Sequence, residues 1–139
     1  MTIATETIEL STLGRTDIKD VTDAVRGIVR SSGLSEGQVL VFVPGSTAAI
    51  TTIEYEPGLL SDLPVVLGRL VPENARYKHD DTWGDGNGYA HVRAALIGAS
   101  LTVPFHKGEL MLGTWQQIVV LDFDNRPRSR RVVVQVSGE

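Results

Sequence analysis

The sequence contains no cysteine. That removes disulfides, thiolate metal centres and cysteine nucleophiles together. Long apolar runs are also missing. Nothing approaches the ~18 consecutive apolar residues that read as a membrane span, so no membrane is expected as a partner. The opening residues, Met1-Thr-Ile-Ala-Thr-Glu6, have neither a basic start nor an extended apolar stretch. No secretory leader is expected, and the cytoplasm is the expected compartment. Positive charge is scarce: 13 Lys and Arg stand against 17 Asp and Glu, a formal net charge of −4. Duplex-binding domains are usually basic, so nucleic acid is not an expected partner either.

What is present is an ordinary globular composition, with 139 residues, 42% of them hydrophobic and 22% charged. This length suits one domain over residues 1–139 with a single real core. Residues 2–12 are rich in β-branched side chains and read as a strand. Residues 17–32 place Ile18, Val21, Val25, Ile28 and Val29 on one helical stripe, with Asp17 and Asp20 as a capping arrangement and Gly33 as the stop. Residues 38–43 and 47–55 read as two strands interrupted by Pro44-Gly45-Ser46. The leucines of 58–70 recur at helical spacing, with Pro64 fitting only in a first turn or at a kink. Residues 72–87 read as a long loop, the kind that tends to carry function. A helix follows over 89–97, capped by Asn87 and ended by Gly98. Strands are expected at 100–105, 109–112, 115–123 and 130–136, with a turn at Lys107-Gly108. The expected class is α+β: a mainly antiparallel sandwich or large sheet carrying two or three packed helices on one side.

Chemistry concentrates in one segment. His79, Asp80, Asp81, Asp85, Asn87 and His91 lie close together, although the whole chain has only 3 histidines. Such a set could ligate a divalent metal through nitrogen and oxygen, or supply a general base oriented by a carboxylate. A polar loop with surface histidines is the plain alternative. Gly84-Asp85-Gly86-Asn87-Gly88 leads into a helix start, whose free N–H groups suit a phosphate. Backbone amides and the hydroxyls of Ser46 and Thr47 could hold an anion at an ordinary-looking turn. In the run Arg126-Pro-Arg-Ser-Arg-Arg131, strand alternation puts Arg126, Arg128 and Arg130 on one side and Arg131 on the other. Arg131 or Arg130 could clamp a phosphate, or the run could pair with Asp122 and Asp124. Trp115 and Gln116 precede an apolar strand, where an amide needs partners and could orient a ligand or a histidine. His106 reads as an exposed turn residue.

Taken in order, PGSTAAIT (44–51), YKHDD (77–81), GDGNGYAHVRAALIGASLTVP (84–104), KGEL (107–110), LGTWQQI (112–118) and the Arg-rich last strand resemble the YjbQ family. Members of that family are often labelled secondary thiamine-phosphate synthase. The resemblance covers nearly the whole chain. It implies a β-sandwich with packed helices and a homotrimer. It also implies a reaction in which a pyrimidine carried on pyrophosphate joins a thiazole phosphate. Such a step needs a divalent ion (Mg or Zn) or cationic help on the departing pyrophosphate. By that resemblance His79, Asp80, Asp85 and His91 form the catalytic group, with His79 and His91 as metal ligands. Ser46, Thr47, Asn87, Gln116 and Arg131 would contact the phosphorylated small molecule, and Trp115 a ring. Many members have His-Thr-Ser or His-Thr-Thr where this chain has Gly45-Ser46-Thr47, so a family histidine is absent here. Two other functions use the same residues: a non-catalytic binding protein for a small phosphorylated ligand or metal, and a metal-dependent hydrolase.

Overall fold

A computed structural model describes residues 1–139. Eight strands and four helices follow one another as β1 (Thr2–Thr12), β2 (Asp17–Asp20), α1 (Thr22–Ser32), β3 (Glu36–Phe42), β4 (Ala48–Ile53), α2 (Pro57–Leu70), α3 (Lys78–Trp83), α4 (Gly88–Ile97), β5 (Ser100–His106), β6 (Glu109–Leu110), β7 (Gln117–Asp122) and β8 (Arg128–Gly138). Every strand pairing is antiparallel. The class is α+β, as expected, with four helices rather than two or three.

The strands form two sheets, ordered β1-β8-β3-β5-β6 and β2-β7-β4. Period-two alternation explains the larger one. On β8, Val132, Val134 and Val136 are fully buried while Arg131 is exposed. Those valines meet Val39, Val41, Val103 and Phe105 of the same sheet and Ile50, Ile118 and Val120 of the smaller one. Helix α1 adds Val25 and Val29 to this core. The smaller sheet is buried on its other face as well. There Ala49, Val119, Leu121 and Phe123 pack against Leu67 of α2 and Tyr89, Ala90 and Ala94 of α4. This double burial accounts for the unbroken apolar run Ile118–Leu121, which has no alternation.

Three local expectations are corrected. Asp17–Asp20 is a strand paired with β7, and the helix begins only at Thr22. Asp20 still caps it: its Oδ1 accepts from the Thr22 N–H at 3.0 Å and the Thr22 hydroxyl at 2.6 Å. The expected loop 72–87 contains the short helix α3. The strand expected from Trp115 begins at Gln117, leaving Trp115 71% exposed in the preceding turn. Pro64 lies inside α2, whose start is capped by the Glu56 carboxylate accepting from Gly58 and Leu59 N–H groups. The Lys107-Gly108 turn is as expected, both residues at positive φ (53° and 74°), the conformation of a tight hairpin. No helix is long and apolar enough to cross a membrane.

Candidate active site

Helices α3 and α4 set the geometry. Gly84 ends α3 in the left-handed conformation at φ 72° and turns the chain back towards α4. At the first position of α4, Gly88 brings the two helices together. A Cβ there would lie 2.5 Å from Tyr77 Cβ and 3.0 Å from Asp80 Oδ1. In the space so left, Asp80 Oδ1 accepts the Gly88 N–H at 2.8 Å. This corrects two expectations. Asn87 occupies the cap position without a side-chain cap bond. The helix start also does not offer the Gly88 N–H to a phosphate, because a carboxylate already holds it.

The close approach of α3 and α4 puts the His79 and His91 rings against each other, with centroids 4.1 Å apart and planes tilted by 38°. His79 Nδ1 lies 3.7 Å from both Asp80 Oδ1 and Asp85 Oδ1. That is beyond hydrogen bonding, and this buried nitrogen has no partner in the protein. The three atoms fall within 4.8 Å of one another, a donor set of one nitrogen and two oxygens. Ligand atoms on a single small ion, at about 2.1 Å from it, stand about 3–3.5 Å apart, so a modest closing movement would fit these groups to a divalent cation. Burial pushes the His91 pKa below 6.5 and His79 lowers it further, outweighing the opposing pull of Asp85, Asp124 and Asp80. A neutral imidazole is the form that ligates metal or accepts a proton.

The opposite wall comes from the Arg-rich strand. Arg130 is 9% exposed. It pairs bidentately with the fully buried Asp122, Nε to Oδ2 at 2.7 Å and Nη2 to Oδ1 at 2.9 Å. Its Nη2 also donates to Thr47 Oγ1 at 2.7 Å, and that hydroxyl donates to Asp124 Oδ2 at 3.0 Å. Arg128 Nε reaches the same Asp124 oxygen at 2.9 Å. Burial pushes both carboxyls up, yet the hydrogen bonds they accept hold both below 3.8. Asn87 donates from Nδ2 to Asp124 Oδ1 at 3.4 Å, and its buried Oδ1 has no partner.

Between the walls lies a cleft of about 390 Å³ bordered by His79, His91, Asp85 and Asn87 on one side and Arg128 and Arg130 on the other, with Gly45–Thr47 between. Chain-distant segments from the link between the two sheets (β3 to β4), a helix pair and a strand thus converge on one space.

A family profile described as UPF0047 protein YjbQ-like matches residues 6–139. The chain belongs to this family. A UPF0047 protein of Archaeoglobus fulgidus is 44% identical over 128 residues, 92% of this chain and 97% of the relative. One from Methanothermobacter thermautotrophicus is 41% identical over 139 residues, 100% of this chain and 95% of the relative. Among solved structures, a YbjQ-like protein of unknown function from Sulfolobus solfataricus superposes with a TM-score of 0.94 at 34% identity, covering 99% of each chain.

Within this YjbQ-like fold the expected residues divide. His79, Asp85, Asn87, His91, Ser46 and Thr47 line the cleft, and Asp80 stands beside it. The Thr47 hydroxyl is committed to Arg130 and Asp124, so it serves the wall rather than a ligand. Trp115 is absent from the cleft of the single chain. Gln116 bonds to Thr52 Oγ1 and the Gly113 N–H and borders a different hollow. The correction at the strand is one of parity: Arg130 faces the cleft, whereas Arg131 borders an outer hollow with Glu9 and Pro44. The sequence reading also missed Trp83, 74% exposed at the cleft edge, where an aromatic just before the Gly84-Asp85 turn was the available signal. His106 has its expected exposed position, paired with Glu36 at 2.5 Å.

Proposed function

We propose that this cleft binds and transforms a phosphorylated small molecule, in a reaction like thiamine phosphate synthesis. The observation that carries the reading is the convergence of two adjoining imidazoles, Asp85 and two arginines on one cavity, with Asp80 beside it. The charge balance decides how an anion is received. Arg128 and Arg130 are each already paired with a buried carboxylate, and Asp80 and Asp85 add further negative charge. Two guanidiniums against four carboxylates would repel a phosphate. A divalent cation on His79, Asp80 and Asp85 cancels that excess of negative charge, and when bound it would stabilise charge on a departing pyrophosphate. The His91 imidazole, neutral above its lowered value, is available to hold or move a proton. The arginines, held rigid by Asp122 and Asp124, orient the phosphate oxygens.

In the proposed reaction the thiazole nitrogen forms a bond to the pyrimidine methylene carbon. The carbon–oxygen bond to pyrophosphate breaks, and pyrophosphate leaves with the electron pair. The test measures pyrophosphate release from the two precursors with and without Mg²⁺. Metal-dependent release, lost in a His79→Ala, His91→Ala variant, is expected. Release no greater than in that variant removes the synthase reading. The unpartnered His79 Nδ1 beside two carboxylates also favours a second reading, a metal-dependent hydrolase in which a carboxylate or imidazole activates water. Phosphatase activity that survives a chelator opposes it. The resemblance further supports a homotrimer, in which Trp115 or Arg131 would border a neighbouring subunit's cleft.

A further inference from the structure

A second cavity, of about 370 Å³, adjoins the polar cleft. Gly45, Ser46 and His91 border both. The rest of its wall is almost entirely methyl and backbone: Ala48, Ala94, Ala95 and Ala99 with Gly98. The two spaces therefore differ in chemistry and share a seam. At the seam Gly45 adopts φ 118°, a conformation side chains disfavour, and a Cβ there would sit 3.0 Å from Arg130 Nη1. The Nε and Nη2 of Arg130 are consumed by Asp122 and Thr47. Its Nη1 makes no hydrogen bond within the chain, although the residue is 9% exposed. A buried guanidinium thus turns its one free donor nitrogen towards the missing side chain of Gly45.

We infer that Gly45, by lacking a side chain, joins the cleft to the alanine-lined slot, so that the ligand is an anion carrying a compact apolar or aromatic body. This rests on the proposed phosphate site and deepens it. The anionic head meets Arg130 Nη1 and the cation-binding wall. The body enters the slot beside His91, which places the bond between body and head next to the imidazole. The slot has no hydrogen-bonding side chain beyond Ser46 and His91, so it selects by size and apolarity, and burial of a ring there favours binding through lost water contact.

The test is calorimetry on the full chain in Mg²⁺ with two probes, inorganic phosphate and phenyl phosphate. Phenyl phosphate is expected to bind about tenfold or more tightly than inorganic phosphate. Ala95 is exposed on α4, so Ala95→Leu fills the slot without disturbing the core. It is expected to bring phenyl phosphate to within about twofold of inorganic phosphate, with inorganic phosphate unchanged. Gly45→Ala is expected to weaken both probes, with a melting temperature recorded for each variant to confirm folding. No preference for phenyl phosphate, a preference that survives Ala95→Leu, or unchanged binding in a folded Gly45→Ala overturns the inference and leaves the phosphate site standing. Binding of neither probe overturns the phosphate site and this inference with it.

Discussion

Asp122 is fully buried, and its charge is tolerable because Arg130 grips both oxygens while Thr12 donates a third hydrogen bond at 2.5 Å. Asp122→Asn leaves Arg130 buried with half its partner gone. Urea unfolding at neutral pH is expected to show a loss of roughly 2–4 kcal/mol, the usual consequence of breaking a buried pair from one side. The pH dependence has a definite sign. Asp122 and Asp124 lie below 3.8 in the folded protein, so on acidification the unfolded chain takes up protons first. Their stabilisation is intact above about pH 4 and drains as pH falls through the lowered folded values. Asp122→Asn should therefore flatten the acid limb of the stability profile, and an unchanged limb would place the linkage elsewhere. His91 is also lowered, from 6.5. Its neutral form favours the folded state above that value, and the benefit disappears as pH falls through the folded pKa. An NMR titration should place the His91 midpoint below 6.5, and His79→Ala should move it upwards, since both burial and the neighbouring ring are reduced.

At the scale of elements, the α3–α4 pair is the device that makes two histidines meet. Gly88→Ala drives a methyl into Tyr77 and towards Asp80. A loss of about 1–3 kcal/mol is expected from overpacking, measured by thermal or urea unfolding, together with weakened ligand binding as the helices part. Gly84→Ala, with open space around its Cβ position, should strain the turn without that clash. These elements also show what was legible beforehand. The long strand β8 could be read from Val132, Val134 and Val136 because alternation is a property of the strand itself. Alternation alone leaves open which arginine meets a ligand: Arg131 and Arg130 are both candidates, the family resemblance favours Arg131, and the cleft is bordered by Arg130, on the side of the buried valines. Helix α3 has 6 residues and no buried side chain, so it carries no apolar period to detect. Strand β2 was lost because Ile18 happens to continue the α1 stripe, and only pairing with β7 reveals the break. The histidine cluster was legible as composition. The contact between its two rings was not, because that depends on Gly88 and the Asp80 bond.

At the scale of the molecule, three layers give the site its rigidity: the five-stranded sheet, the three-stranded sheet and the helices α2 and α4. The cleft gathers residues from β8, the β3–β4 turn and the helical layer, so domain-scale packing holds its walls in register. The outer face of the larger sheet has no covering element, and Leu40 and Phe42 are 36% and 39% exposed there. Trp115 and Met111 are exposed still more, at 71% and 62%. The proposed homotrimer would cover part of this surface. Light scattering at micromolar concentration should then return about three times the 15.1 kDa chain mass, and a species at the chain mass would remove the trimer.

The claim on which the functional reading depends is that the His79–His91 cleft receives a cation and a phosphate together. Calorimetric titration of pyrophosphate, with and without Mg²⁺, probes it without any assumption about turnover. Saturable one-to-one binding that requires Mg²⁺ and vanishes in a folded His79→Ala, His91→Ala variant is the expected result. Binding that is equal without the cation, or equal in that variant, would contradict it.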